Sequence, residues 1–442
     1  KLKLLVLPIA IQNFMLALVS ATDAIMLGWI DQTSLSAVSL AGQVQFVLSL
    51  FISGIAAGAG IMAAQYWGKQ DAASIEKVIP IALRTNLLFS GLFTILAGFC
   101  PEMLMRIFTN DAALVASGSQ YLRAVALSYV LCGISQVYLI LLKNTGHAAV
   151  SSRISSTAVV LNIILNAILI YGLCGAPALG IRGAAYATVA ARVVELIWAY
   201  LETKKPERVR ILWNRLFSSA GKILSEDFWR YTLPVLAASL VWGIAYVLYS
   251  VIMGHMGSDA VAANSITSIA KSLLSCLIRG VSGGAGVLIG NLLGANELEK
   301  AREYGRRLSH LSIAIGIVTG GLLMLISPAI VHFAPLSDTA AEYLQYMLLF
   351  CGLNLMAQSV NTTVLDGIFC AGGDAKFDMQ GNIGAMWCFS VPLGFLAAFW
   401  LKLPVMVVYC IVNLDEIVKL PAVYHHYKKY IWVRNITRDV ED

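Results

Sequence analysis

The chain has 442 residues, of which 58% are hydrophobic and 13% charged, and its mean hydropathy is +0.76. Soluble domains carry about 25% charged residues, so these values exclude a soluble globular protein and define an integral membrane protein. The formal net charge of +6 is no argument for a nucleic-acid partner, because the cations concentrate in particular loops.

Taken in chain order, apolar segments long enough to cross a bilayer occur at 4–29, 36–66, 78–100, 119–142, 154–173, 181–202, 232–253, 260–290, 308–331, 343–368, 380–400 and 404–427. No alternating pattern of ten-residue strands is present, so the prediction is an all-α polytopic protein of twelve transmembrane helices. With the N-terminus inside, the inner loops hold Lys69, Lys77, Lys143, Arg153, the basic stretch from Lys204 to Arg230, Lys300, Arg302, Arg306, Arg307, Lys376 and a basic C-terminal tail. The outer loops hold only Arg106, Arg182 and Lys402. This bias predicts both termini in the cytoplasm and a multi-pass location in the inner (plasma) membrane. The chain begins at Lys1 without a methionine; no cleavable signal peptide is expected, and the first span would serve for insertion.

The first span carries one ionisable residue, Asp23, in an otherwise apolar stretch. A carboxylate at the centre of a membrane helix costs roughly 2.5–3.5 kcal/mol on insertion scales, so such residues face a cavity or an ion path. Gln12, eleven residues earlier, falls within about 20° of the same face, and Ser20 lies one turn below. The competing reading is an aspartate satisfied locally near the helix end. In span 5, Asn162 and Asn166 stand at i and i+4 on one face, and Thr188 in span 6 offers a further oxygen. They serve either as helix-to-helix hydrogen bonds or as a mixed carboxylate and amide site with Asp23, suited to a proton or a hard cation such as Na⁺.

Span 7 carries Trp242, Tyr246 and Tyr249 at helical spacing, a stripe read as packing before recognition. In span 8, Asn264, Ser268, Lys271, Ser275, Arg279 and Ser282 form one polar stripe with two cations about 12 Å apart. Either the stripe lines a substrate cavity and favours anionic or neutral groups, or Arg279 pairs with an acid such as Asp366 or snorkels. Glu195 in span 6, with Arg192, and Asp415 and Glu416 in span 12, with Lys419, read as local ion pairs of structural value. The eight cysteines are scattered, with no metal-ligand spacing. No catalytic or phosphate-binding signature is present, so no enzyme and no cofactor are expected.

A shift of 226 residues superposes Pro8 on Pro234, Gly28 on Gly254, Gly54 on Gly280, and Gly58-Ala59-Gly60 on Gly284-Ala285-Gly286 without a gap. The chain is therefore read as two six-helix bundles related by a pseudo-twofold axis along the membrane normal. The expected division is an N-lobe at 1–202, a cytoplasmic linker at 203–231 with a short amphipathic helix near 214–229, and a C-lobe with tail at 232–442. Asp23 falls on Tyr249, Gln45 on Lys271 and Ser53 on Arg279. The acid belongs to one half only, and the other half carries the added cations.

The pattern Pro8…Gln12-Asn13…Asp23-x-x-Met26-x-Gly28, NIILNAILIYG in span 5, IGNLLGANELEKA, GIFCAGGDAKF at 367–377 and the repeat spacing resemble the multidrug and toxic compound extrusion (MATE) transporters of the MOP flippase superfamily. The resemblance covers essentially the whole chain. It implies a V-shaped pair of bundles alternating between inward- and outward-open states, and export of amphipathic drugs or metabolites in exchange for H⁺ or Na⁺. It implies a cation site at Asp23, Asn162, Asn166 and Thr188; Gln12 joins it by its place on the face of Asp23, and Na⁺ is possible at Asp23, Asn162 and Asn166. It also implies a substrate cavity, for which Asn13, Gln45, Trp242, Tyr246, Tyr249, Lys271, Ser275 and Arg279 are the candidates. Sodium-coupled relatives with a C-lobe site have acids where this chain has Trp242 and Ser359, so that site is expected to be absent. A lone carboxylate fits H⁺ better than Na⁺, which needs more oxygen ligands. The rival is a flippase for a lipid-linked or amphipathic anionic substrate, hinted at by Lys271 and Arg279. The expected partners are a small amphipathic substrate and the bilayer, with the protein a monomer.

Overall fold

The computed structural model describes residues 2–29, 32–206, 208–211, 213, 216, 221–334 and 336–438. The side chain of Ser20 and most of the linker stretch 214–221 lie outside the described residues. Among the described residues twelve long helical rods occur, with a short helix Pro101–Arg106 between the third and fourth: α1 Leu2–Gly28, α2 Gln32–Gly68, α3 Ala72–Phe99, α4 Ala112–Leu142, α5 Ala148–Tyr171, α6 Ile181–Thr203, α7 Lys222–Gly254, α8 Ser258–Gly294 and α9 Leu298–Phe333, then α10 Asp338–Phe369, α11 Ala375–Trp400 and α12, built from Val405–Val412 and Asp415–Tyr427. No strand occurs among the described residues. At 1.5 Å per residue, most of these rods exceed the ~30 Å of a bilayer's hydrocarbon core. The all-α polytopic architecture expected from the sequence is what forms.

The ends follow from local chemistry. Asp71 caps α3 by accepting from the Ser74 amide at 2.9 Å, and Asp111 caps α4 through the Ala113 amide at 2.8 Å, each satisfying a donor the helix leaves open. The apolar run Ala112–Tyr171 is divided into α4 and α5 by the turn Lys143–His147, where Gly146 takes φ +83°, a conformation open to glycine without strain. Three later rods depart from α geometry. α10 ends in a wide π-type turn at Thr363–Phe369, α11 contains another at Ile383–Ser390, and α12 breaks at Asn413 and Leu414. The span expected as one helix over 404–427 is thus two, and asparagines from α10 bond the backbone there: Asn354 Nδ2 donates to Asn413 O at 2.6 Å at the break, and Asn361 Nδ2 to Glu416 O at 2.6 Å in the first turn after it.

The rods form two compact units, one of Ile11–Leu236 and one of Lys1–Ala10 with Ala237–Asp439. The division differs from the expected 1–202, 203–231 and 232–442 at the ends. The first ten residues belong with the second half, and the start of α7, including residues 222–229 read as part of an amphipathic linker helix, belongs with the first.

Within the first unit, Leu48, Ile52, Leu122, Val125 and Tyr129 make the core. The second unit packs Leu323, Leu344, Leu348 and Leu355 together. Helices approach closely where side chains vanish, as is usual without a strong hydrophobic drive between membrane helices. A Cβ on Gly320 of α9 would come within 2.3 Å of the Gly352 carbonyl oxygen of α10. Gly320→Val is therefore expected to destabilise the protein by about 1–3 kcal/mol through overpacking, read as a lower unfolding temperature in detergent. In the second unit α8 receives the N-terminal segment in the same way: a Cβ on Gly280 would stand 2.6 Å from Ala10 Cβ, and one on Gly284 2.9 Å from Val6 Cγ2.

The C-terminal stretch expected as a tail is built into the second unit. Trp432 is fully buried among Ile289, Leu293, Ala301 and Leu308, and Arg434 donates to the carbonyls of Gly372 at 2.7 Å and Gly373 at 2.6 Å. Basic composition concealed an apolar anchor.

Candidate functional site

In the first unit, three helices bring the expected polar residues together. Asn166 Nδ2 of α5 donates to Asp23 Oδ1 of α1 at 2.5 Å and to Asn162 Oδ1 at 3.2 Å. Asn162 Nδ2 donates to Thr188 Oγ1 of α6 at 3.3 Å, and the Thr188 hydroxyl donates in turn to Ala184 O at 3.0 Å. Donors and acceptors therefore alternate from a carboxylate down to a backbone carbonyl. The i, i+4 spacing of the asparagines makes this possible, since it stacks both amides on one face of α5. Tyr171 of α5 donates to Met26 O at 2.7 Å and fixes the last turn of α1 beside the aspartate.

Two features distinguish the cluster. Asn162 and Asn166 are 6% and 1% exposed, and Asn166 Oδ1 has no hydrogen-bond partner among the described residues. A buried acceptor without a donor costs about 1–3 kcal/mol, and it lies on the same amide that holds Asp23. Such an oxygen, beside a carboxylate, is suited to receive a proton donor or a cation. Gln12 is half-buried, and no hydrogen bond joins it to this chain of residues. Among the described residues, no group of three or more His, Cys, Asp or Glu is placed to hold a metal ion.

Of the cavity candidates in the first unit, Asn13 and Gln45 are half-buried. In the second unit Trp242 and Tyr246 stack at 5.5 Å between ring centroids with 17° between planes, and Tyr246 is exposed. Tyr249 does not join them; it is buried among Ala245, Ile252 and Met386. Lys271 donates to Asn354 Oδ1 at 2.9 Å, Ser275 is buried and Arg279 is exposed. Arg279 lies within electrostatic reach of Asp366, with no ion pair between them within 4.0 Å. The span-8 stripe is therefore split between a bonded lysine, a core serine and an open arginine.

Both expected local pairs form. Arg192 Nη1 meets Glu195 Oε1 at 3.0 Å, with Ser135 Oγ donating to the same oxygen at 2.6 Å. Lys419 Nζ meets Glu416 Oε1 at 3.2 Å, but it also donates to Asn382 Oδ1 of α11 at 3.1 Å. Sequence reasoning missed that extension. Asp378 and Asn382 repeat the i, i+4 signal of span 5, and Asn354 and Asn361 share a face of α10, but placing the start of span 11 at 380 left Asp378 in a loop. Ser359, the position of the span-10 acid in sodium-coupled relatives, donates to Ser312 O at 2.7 Å and is an ordinary contact between α9 and α10.

The fold and this intramembrane polar chain define a multi-pass helical membrane protein assembled from a duplicated unit. The MatE family model matches residues 8–168 and again 234–396, and the chain belongs to that family of membrane transporters. It is 21% identical over 427 residues to the uncharacterized transporter YisQ of Bacillus subtilis, covering 97% of this chain and 93% of that protein. It is 24% identical over 390 residues to the probable multidrug resistance protein NorM of Agrobacterium fabrum, covering 86% and 83%. Among solved structures, a MOP superfamily transporter from Pyrococcus furiosus matches with a TM-score of 0.87 at 20% identity, covering 97% of this chain and 95% of that one. A multidrug resistance MATE transporter in an outward-facing conformation matches with a TM-score of 0.83 at 19% identity, with the same coverage. At these identities the structural likeness establishes the fold.

Proposed function

We propose that the protein exports amphipathic small molecules, drugs or metabolites, across the inner membrane in exchange for protons, with both termini in the cytoplasm. The observation that carries this reading is the bonded chain from Asp23 through Asn166 and Asn162 to Thr188, with the unpartnered Asn166 oxygen beside it. Relatives named as multidrug resistance proteins support the substrate class. The stacked Trp242 and exposed Tyr246 support a planar or cationic ligand, which ring faces attract.

In this mechanism Asp23 binds a proton from outside in the outward-open state and releases it inside. Protonation removes the one formal charge of the cluster and turns an acceptor into a donor, which alters what Asn166 can hold and how α1 sits. Coupling follows because the proton binds the two conformations with different affinity. Sodium is the second ion this chemistry admits, but one carboxylate and two amides supply few of the oxygens it needs. Substrate efflux from proteoliposomes under an imposed pH gradient, and separately under a Na⁺ gradient, tests the reading. A pH gradient alone should drive efflux; efflux driven by Na⁺ alone would assign the site to sodium, and none under either gradient would remove the antiport mechanism.

A further inference from the structure

The second unit contains a buried ionic network that the reading above leaves unused. Lys419 Nζ of α12 lies 3.2 Å from Glu416 Oε1 and 3.7 Å from Asp415 Oδ2, and donates to Asn382 Oδ1. Asn382 Nδ2 in turn donates to Asp378 Oδ1 at 3.2 Å. Asn361 of α10 donates to Glu416 Oε2 at 2.8 Å. Asp378, Asn382, Asp415, Glu416 and Lys419 are each 9% exposed or less. Two carboxylates thus contact one ammonium, and a third is joined to it through Asn382.

The groups facing this core from neighbouring helices are Tyr249 of α7, Lys271 of α8 and Asp366 of α10, with Arg279 beside Asp366. Asp366 and Arg279 are both exposed; apart from that pair, buried Asp378, Asp415 and Glu416 stand against Lys419 and half-buried Lys271, so the fully ionised network holds one negative charge too many for a membrane interior, where uncompensated charge is costly. Two further observations point to what supplies the balance. Asn361 Oδ1 is buried at the network without a hydrogen-bond partner among the described residues. Asn361 is 2% exposed, and its amide nitrogen is held by Glu416, so its oxygen is fixed beside the carboxylates as an acceptor lacking a donor. The second observation is that all three helices carrying the network leave regular α geometry close to it, at Thr363–Phe369, Ile383–Ser390 and Asn413 with Leu414. Irregular backbone of this kind inside a membrane is tolerated where polar groups are served by it.

We propose that the second unit holds its own proton-binding site, formed by Asp378, Asp415 and Glu416 around Lys419, which binds one proton shared among the three carboxyls. The ligand is a proton and not a metal ion, because the ammonium of Lys419 already occupies the place among Asp415, Glu416 and Asn382 that a cation would take. A protonated carboxyl supplies the donor that the Asn361 oxygen lacks. The proton belongs to the network and not to one residue, as in other strongly coupled groups. Two residues before Asp415, the Asn413 carbonyl accepts from Asn354, whose own oxygen accepts from half-buried Lys271. The site differs in place from Trp242 and Ser359, and its occupancy does not depend on whether the protein is an antiporter.

Infrared difference spectra of the full-length protein in lipid nanodiscs, recorded across pH, read protonated carboxyls directly through their C=O stretch. In the Asp23→Asn background a protonated-carboxyl band should remain. Adding Asp378→Asn, or independently Asp415→Asn, removes the surplus charge and should abolish that band. Lys419→Met raises the surplus by one and should enlarge it. The assignment fails if the Asp23→Asn protein shows no such band, if neither added substitution changes it, or if Na⁺ at fixed pH displaces it. Proteoliposome efflux can fail while the band persists, and the reverse, so the two proposals are separable.

Discussion

Asp23→Asn is expected to abolish gradient-driven efflux, bringing the rate under an imposed pH gradient down to that measured with none, a loss of at least about tenfold. Moving a two-state equilibrium from 1:99 to 99:1 needs about 5.5 kcal/mol of differential binding, and an amide that does not titrate in the working range provides none of it. The substitution is nearly isosteric and can still bond Asn166 Nδ2 through its own oxygen, so unfolding temperature and expression should stay close to those of the parent. Retention of full pH-driven export by a folded Asp23→Asn protein would remove Asp23 from the coupling mechanism. Downhill movement of substrate in the absence of a gradient should persist, which separates coupling from substrate binding.

The second large effect concerns stability. Glu195 is 1% exposed and is held by Arg192 and Ser135. Arg192→Met leaves a buried carboxylate with a hydroxyl as its remaining partner, and breaking a buried pair from one side costs about 3–5 kcal/mol. Thermal unfolding in detergent should show the loss. The paired substitution Arg192→Met with Glu195→Leu removes the orphaned charge and should recover most of it, because replacing both partners by apolar groups is often neutral. A double substitution as unstable as the single one would mean that the pair does more than neutralise itself.

The sequence disclosed the candidate site of the first unit well, for a physical reason. Asp23, Asn162, Asn166 and Thr188 are polar residues in otherwise apolar helices, and in a membrane such residues must find one another. The repeat was legible because glycines and prolines mark where helices kink and touch. The network of the second unit was harder to see. Glu416 and Lys419 looked self-sufficient at i, i+3, and that local explanation stopped the search one helix short of Asn382 and Asp378. The break in α12 was invisible because Asn413 and Leu414 are not helix breakers, and the amide donated to it from α10 is a tertiary contact. The burial of Trp432 was hidden by the basic residues around it.

The membership of residues 1–10 in the second unit has a consequence for how the protein is made. The segment that ends at Ala10 packs against α8, some 270 residues later in the chain, at Ala10 with Gly280 and Val6 with Gly284. It must wait, inserted but without these contacts, until more than half of the remaining chain has emerged, and closing so long a loop is slow. A gene cut in the linker would yield a second fragment lacking its own first ten residues. The duplicated halves are thus interdependent in biogenesis, and the later-made half is completed by a segment that is made before the earlier one.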